Sequence, residues 1–161
     1  MGLGSSNVAN FRTKVVDTTI TMPGSEYATG DLLVEGIEIA VGTGRTIGTI
    51  NNAVIVDQAD LGSQIEFWFS DKQTAPDFGS PDSAPSVSDA DAATLVGKID
   101  SSETYTDLTD NKVAVPAAFS PIAFDTANGQ LYGAVILRGS ATNYGGGAVV
   151  LRLGITIEQG Y

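Results

Sequence analysis

The segment AVVLRLGITIEQ, residues 148–159, decides the fold class. Val149, Leu151, Leu153, Ile155 and Ile157 fall on one side of an extended chain, and Val150, Arg152, Gly154, Thr156 and Glu158 on the other. Successive side chains leave a strand on opposite faces, so a strict two-residue period marks a half-buried β-strand. The β-branched Val, Ile and Thr that fill the segment suit a pleated surface and lose rotamer freedom in a helix.

Outward from this segment the same reading repeats. LYGAVILR, residues 131–138, is apolar on both faces until Arg138, which suits a strand covered on each side. The turn-rich SATNYGGG, 140–147, separates the two, and the pair is expected to form one long antiparallel hairpin. Asn128-Gly129 is the strongest short hairpin signal in the chain. QIEFWFS, 64–70, places Ile65, Phe67 and Phe69 on one face and Glu66, Trp68 and Ser70 on the other. Further extended segments span 11–22, 31–41 with a break at Gly36, and 46–56 with a turn signal at Asn51-Asn52. GKIDSS continues the pattern. TYTDLTDNK reads as a polar hairpin limb, and VAVPAAFSPIAF as edge strand or loop broken by Pro116 and Pro121.

The region 71–89 carries Pro76, Pro81 and Pro85 and cannot run as a regular strand. It leads to the clearest helix signal. Ser88 stands three residues before Asp91 in the form of a capping box, with Ala92, Ala93, Leu95 and Val96 as an apolar face and Gly97 as the stop. This predicts a helix of two to three turns over one end or edge of the sheets. Roughly eight strand candidates with one helix make an all-β chain, an antiparallel β-sandwich or jelly roll with one short α-helix. The expected organisation is a flexible N-terminal arm, residues 1–10, followed by a single β-sandwich domain, 11–161.

Composition narrows function. The chain has 161 residues with no cysteine and no histidine. Thiol catalysis, histidine acid–base chemistry, Ser-His-Asp triads and the common zinc sites lack their residues. The net charge of −11 leaves no basic stripe for phosphates or anionic lipid, so direct nucleic-acid and membrane binding are not expected. Charged residues make up only 17%, against the usual quarter, so the surface is either a neutral polar coat or is hidden in an assembly. Gly2 and Ser6 formally match an acyl-acceptor pattern, as Gly and Ser in any leader will do.

Motifs for chemistry are sparse. Asp71, Asp77, Asp82, Asp89 and Asp91 offer oxygen ligands, but not in calcium-loop spacing, and read as a solvated acidic loop with a helix cap. VGTGRTIG, 41–48, lacks both the spacing and the lysine of a phosphate loop. No catalytic, cofactor-binding or metal-binding residue is assigned. The candidates for a partner or glycan contact are Trp68, Glu66, Tyr144 and Arg152, with Tyr105 and Tyr132 as further stacking surfaces. Glu66 beside Trp68 is also the best-placed carboxylate for glycoside chemistry.

Four stretches carry a family resemblance: YATGD (Tyr27–Asp31), FWFSDKQTAPDFGSP (Phe67–Pro81), SVSDADAATLVGKI (Ser86–Ile99) and LYGAVILRG (Leu131–Gly139). Across residues 27–157 the chain resembles small virion structural proteins of tailed bacteriophages, in particular capsid decoration (cement) proteins. The resemblance implies a non-enzymatic role stabilising the capsid and no cofactor. It implies the major capsid protein as partner, self-association with a trimer as the family-style state, and a place on the outer surface of the virion after synthesis in the host cytoplasm. The arm and the proline-rich loop, 71–87, would become ordered on the partner. The alternative is a carbohydrate-binding or receptor-binding module of a phage tail or fibre.

Overall fold

The computed structural model describes residues 10–101, 105–116, 119–140 and 142–159. Apart from Asn10, the N-terminal arm lies outside the described residues. The described chain is built of antiparallel β-strands with one short helix.

A six-stranded sheet runs in the order β1 (Asn10–Thr21), β12 (Ala148–Gln159), β4 (Thr46–Asp57), β8 (Lys112–Ala114) and β7 (Tyr105–Asp107), with β9 (Ile122–Thr126) paired to the first half of β4. A four-stranded sheet runs β3 (Leu32–Ala40), β10 (Gln130–Leu137), β5 (Ile65–Ser70) and β6 (Leu95–Asp100). The two-residue strands β2 (Glu26–Tyr27) and β11 (Thr142–Asn143) pair separately.

The alternation in β12 holds. Val149, Leu151, Leu153 and Ile155 are fully buried, and they share one apolar cluster with Ile65, Phe67 and Phe69 of β5. Ile55, Ile50 and Ala53 of β4 and Leu131, Val135 and Leu137 of β10 complete its centre. Each sheet therefore turns one face toward common ground.

The expected hairpin of 131–138 with 148–158 does not form. β10 lies between β3 and β5, whereas β12 lies between β1 and β4 in the other sheet. A hairpin would give both strands the same cover. β10 is buried on both faces, but Arg152 and Glu158 of β12 meet solvent, so the strands part. The Asn128-Gly129 turn likewise joins β9 to β10 across the two sheets rather than pairing them. The Thr126 hydroxyl accepts hydrogen bonds from Gly129 N (2.7 Å) and Gln130 N (3.0 Å). Gly129 has φ +77°, and a β-carbon there would sit 2.4 Å from the Gly42 carbonyl oxygen, so only glycine fits.

Two further expectations change. Asn51-Asn52 forms no turn; β4 runs through it, and the register against β12 skips Asn51 as a bulge. The helix α1 spans only Asp89–Ala92. Its cap is as read, with Ser88 Oγ accepting from Asp91 N at 3.1 Å. However, the Thr94 hydroxyl donates to the Asp91 carbonyl (2.7 Å) and bonds to Ser70 Oγ (2.9 Å), and Leu95 already pairs with Ser70 of β5. Strand pairing takes the residues that would have extended the helix.

Candidate functional site

The outward face of the four-stranded sheet gathers the chemistry. Strand register fixes it: Trp68 stands opposite Ala134 of β10 and Lys98 of β6, and Glu66 stands opposite Ile136 and Asp100. Arg138 follows Ile136 by two residues and leaves on that face. Glu66 is 4% exposed and accepts from three donors. Lys98 Nζ pairs with Oε1. Arg138 Nε (2.8 Å) and Trp68 Nε1 (3.1 Å) both donate to Oε2. The Lys98 ammonium also lies 5.4 Å from the centre of the Trp68 ring, within cation–π range. Burial pushes the Glu66 carboxyl upward, but the hydrogen bonds from Lys98, Arg138 and Trp68 and the Arg138 charge outweigh it. The group sits below its ordinary value.

The proline-rich segment 71–87 covers this face instead of leaving it. Phe78 is 1% exposed and packs with Leu32, Ala134 and Ile136, and Trp68, Val87 and Leu95 join them. The backbone seals the loop: Leu32 N donates to the Ser83 carbonyl (2.8 Å), Asp82 N to the Leu32 carbonyl (3.1 Å) and Ser86 N to the Phe78 carbonyl (2.9 Å). The expectation that the loop awaits a partner for order is thus replaced by docking on its own sheet. Between loop and sheet lies an open cleft of about 430 Å³, walled by Trp68, Phe78, Pro85, Val87, Leu95 and Ile136, with Arg138 at its side.

The other candidates lie elsewhere. Arg152 stands opposite Asp17 on the six-stranded sheet and holds its carboxylate with two hydrogen bonds, of 2.8 and 2.9 Å. Tyr144 is 4% exposed within the central cluster, where burial pushes its phenol far above the ordinary range. Tyr132 is 9% exposed and Tyr105 is packed against that cluster. Of these aromatics, Trp68 alone lines the cleft. Lys98, Arg138 and Phe78 were not among the sequence candidates. The signals existed: Arg138 ends an otherwise apolar strand, and Phe78 is the single large apolar residue in a polar, proline-rich loop.

No carboxylate lines the cleft, and Glu66 is held ionised by three donors, so it is not placed to act as a proton donor. Among the described residues, no group of three or more Asp, Glu, His or Cys is arranged to hold a metal ion.

No protein-family model matches the chain, and no curated protein matches it. Among the solved structures that align, two illustrate how loose the likeness is. A chain of the semi-empty virus-like particle of the giant freshwater prawn Macrobrachium rosenbergii nodavirus, determined by cryo-electron microscopy, aligns over 98% of this chain and 89% of its own at 10% identity and TM-score 0.34. A family two carbohydrate esterase from Cellvibrio japonicus aligns over 92% of this chain and 35% of its own at 13% identity and TM-score 0.22. At these scores neither carries a functional argument.

Proposed function

We propose that this protein is a non-enzymatic structural protein of a virus particle, a head decoration or cement protein of a tailed bacteriophage built as a β-sandwich or jelly roll. The observation that carries the proposal is the outer side of the six-stranded sheet. β1 pairs only with β12 among the described strands, so a 12-residue edge stands open. Phe11 (69% exposed) and Val15 (63%) stand on its outward face, and half-buried Val54, Val56 and Val150 extend that face. Proteins usually shorten, charge or cover such edges, because an open strand is a template for another chain. A cement protein needs such an edge and a face of low charge for the major capsid protein and for copies of itself, with a trimer as the family-style state. The sequence resemblance to phage decoration proteins supports the same reading, as does a chain without thiols or imidazoles.

On this proposal residues 1–10 form an arm that clamps a neighbouring capsid subunit, and the protein sits on the outer surface of the virion. The alternative of a glycan- or receptor-binding tail module rests on Trp68, and the burial of Tyr144 and Tyr132 leaves it without a row of stacking surfaces. Cryo-electron microscopy of the native particle tests the proposal. Ordered copies on the head shell are expected, with β1 or residues 1–10 against capsid protein. A shell without copies overturns it, and copies at the tail tip replace it with the alternative. Deletion of residues 1–10 should lower particle occupancy more than thermal stability.

A further inference from the structure

We propose that the cleft beneath the 78–87 loop binds a small amphipathic carboxylate, with its apolar body against Trp68 and its charge on Arg138. The first ground is size and lining. A volume of about 430 Å³ falls within the usual range for small-molecule sites, and the walls are apolar apart from Arg138 at the side. The second is charge. Glu66 and Asp100 stand opposite one another and match the two cations Lys98 and Arg138 in number, but of these four charged residues only Arg138 lines the cleft. Arg138 uses its Nε and one Nη nitrogen on Glu66 and keeps further N–H donors in reach of the cleft that it lines. Its side chain is 38% exposed, so an approaching carboxylate can reach it. A guanidinium is suited to such a ligand by its fork of donors.

The third ground is what the cleft lacks. Sugars need several polar partners, and no Asn, Asp, Gln or Glu lines this wall. A cation would meet the Arg138 guanidinium, the one charged group among the described residues that line the cleft. The net charge of −11 for the whole chain weakens long-range attraction of anions, but it is screened beyond about 8 Å at physiological ionic strength, whereas Arg138 acts at contact. The inference stands apart from the capsid reading, since the site is on the sheet opposite to the open β1 edge.

The chain contains one tryptophan, so its fluorescence reports this cleft directly. Octanoate titrated into the full-length protein should give a saturable change in Trp68 emission. Octyl glucoside and octylammonium should bind at least about 10-fold more weakly, as a lost charge-assisted contact implies. Arg138→Gln should weaken octanoate by a similar factor and leave octyl glucoside unchanged. Ala84→Phe, at an exposed rim position, should block all three ligands without touching the Glu66 cluster. It keeps the test valid where Arg138→Gln fails to fold. No saturable octanoate signal overturns the proposal, as does equal binding of the three ligands or unchanged octanoate binding in Ala84→Phe. Saturation by a Leu-Asp-containing peptide, with none by octanoate, overturns it in favour of a protein segment.

Discussion

Arg138 places both Nε and an Nη nitrogen 2.8 Å from the same oxygen of Glu66, a carboxylate that is 4% exposed. Two half-exposed cations and an indole N–H thus hold one buried anion between neighbouring strands of the four-stranded sheet. Removing the anion would take its shared partner from both cations and empty a packed position. Glu66→Ala should cost roughly 2–3 kcal/mol, below the range for fully buried pairs because both cations reach solvent. Urea unfolding at neutral pH measures this, and a cost near zero would show that the cluster is ornamental.

The same group makes the fold acid-sensitive. Its folded pKa lies below the ordinary 4.5, so the unfolded chain binds the proton more readily. The contribution is fully present above about pH 4.5 and is lost as pH falls through the lower folded value. Glu66→Gln should flatten that part of the acid unfolding curve. Parallel curves for mutant and parent below pH 4.5 would assign the acid response elsewhere.

Alkali should act through Tyr105. Burial pushes its phenol from 10.0 up to about 12, with the charges of Asp57 and Asp100 adding to the rise. A raised folded pKa means that stability is complete below pH 10 and falls as pH climbs toward 12. Tyr105→Phe should remove part of that alkaline loss, at the cost of the hydrogen bond to the Ser63 carbonyl at neutral pH. Ultraviolet titration of the phenolates against unfolding by circular dichroism checks the order of events. Ionisation of Tyr105 near pH 10 in the folded protein would refute the burial argument.

Phe78 should act as the anchor of its loop. It is 1% exposed on the outward face of the four-stranded sheet. Phe78→Ala should cost about 3–5 kcal/mol if the loop stays put and leaves a cavity, and less if the loop lifts away. In the second case Trp68 gains water and its emission shifts to the red. Neither a stability loss nor a red shift would mean that the loop is held by its backbone bonds alone.

The legible part of this fold is the part written in local periodicity. β12 alternates cleanly, and its apolar face and the Ile65, Phe67 and Phe69 face of β5 both turn inward as expected, although β5 is covered on its other face too. The Ser88–Asp91 cap was legible because its hydrogen bond is local. Which strand meets which was not legible. β10 and β12 are neighbours in sequence and lie in different sheets, since partner choice depends on how each face is covered and not on turn chemistry alone. The site was half legible for the same reason. Glu66 and Trp68 share a strand face by the two-residue period alone, whereas Lys98 and Arg138 reach them through register with β6 and β10. Tyr144 was a poor candidate because a tyrosine among glycines suggests a surface loop, yet its ring fills the core.

Leu153 and Arg152 are adjacent in β12 and give the sharpest test of the two faces of the six-stranded sheet. Leu153 is fully buried beside Val16 of β1 and Ala53 of β4 in the register of the sheet. Truncation loses its transfer energy, roughly 1.5–3 kcal/mol, and adds a cavity that close-packed neighbours cannot fill. Leu153→Ala should therefore cost about 2–5 kcal/mol. Arg152 lies on the opposite face, where its guanidinium and Asp17 meet in solvent. Arg152→Ala should cost far less than the leucine change, because solvent and salt screen an exposed pair. Urea midpoints of the two variants, taken at low and at high salt, decide it. The leucine effect should be indifferent to salt, and the smaller arginine effect should shrink as salt rises. If Leu153→Ala leaves the midpoint unchanged, the inward face of the longest alternating strand has been misassigned. If Arg152→Ala is the larger of the two, the outer face carries structure that solvent exposure does not reveal.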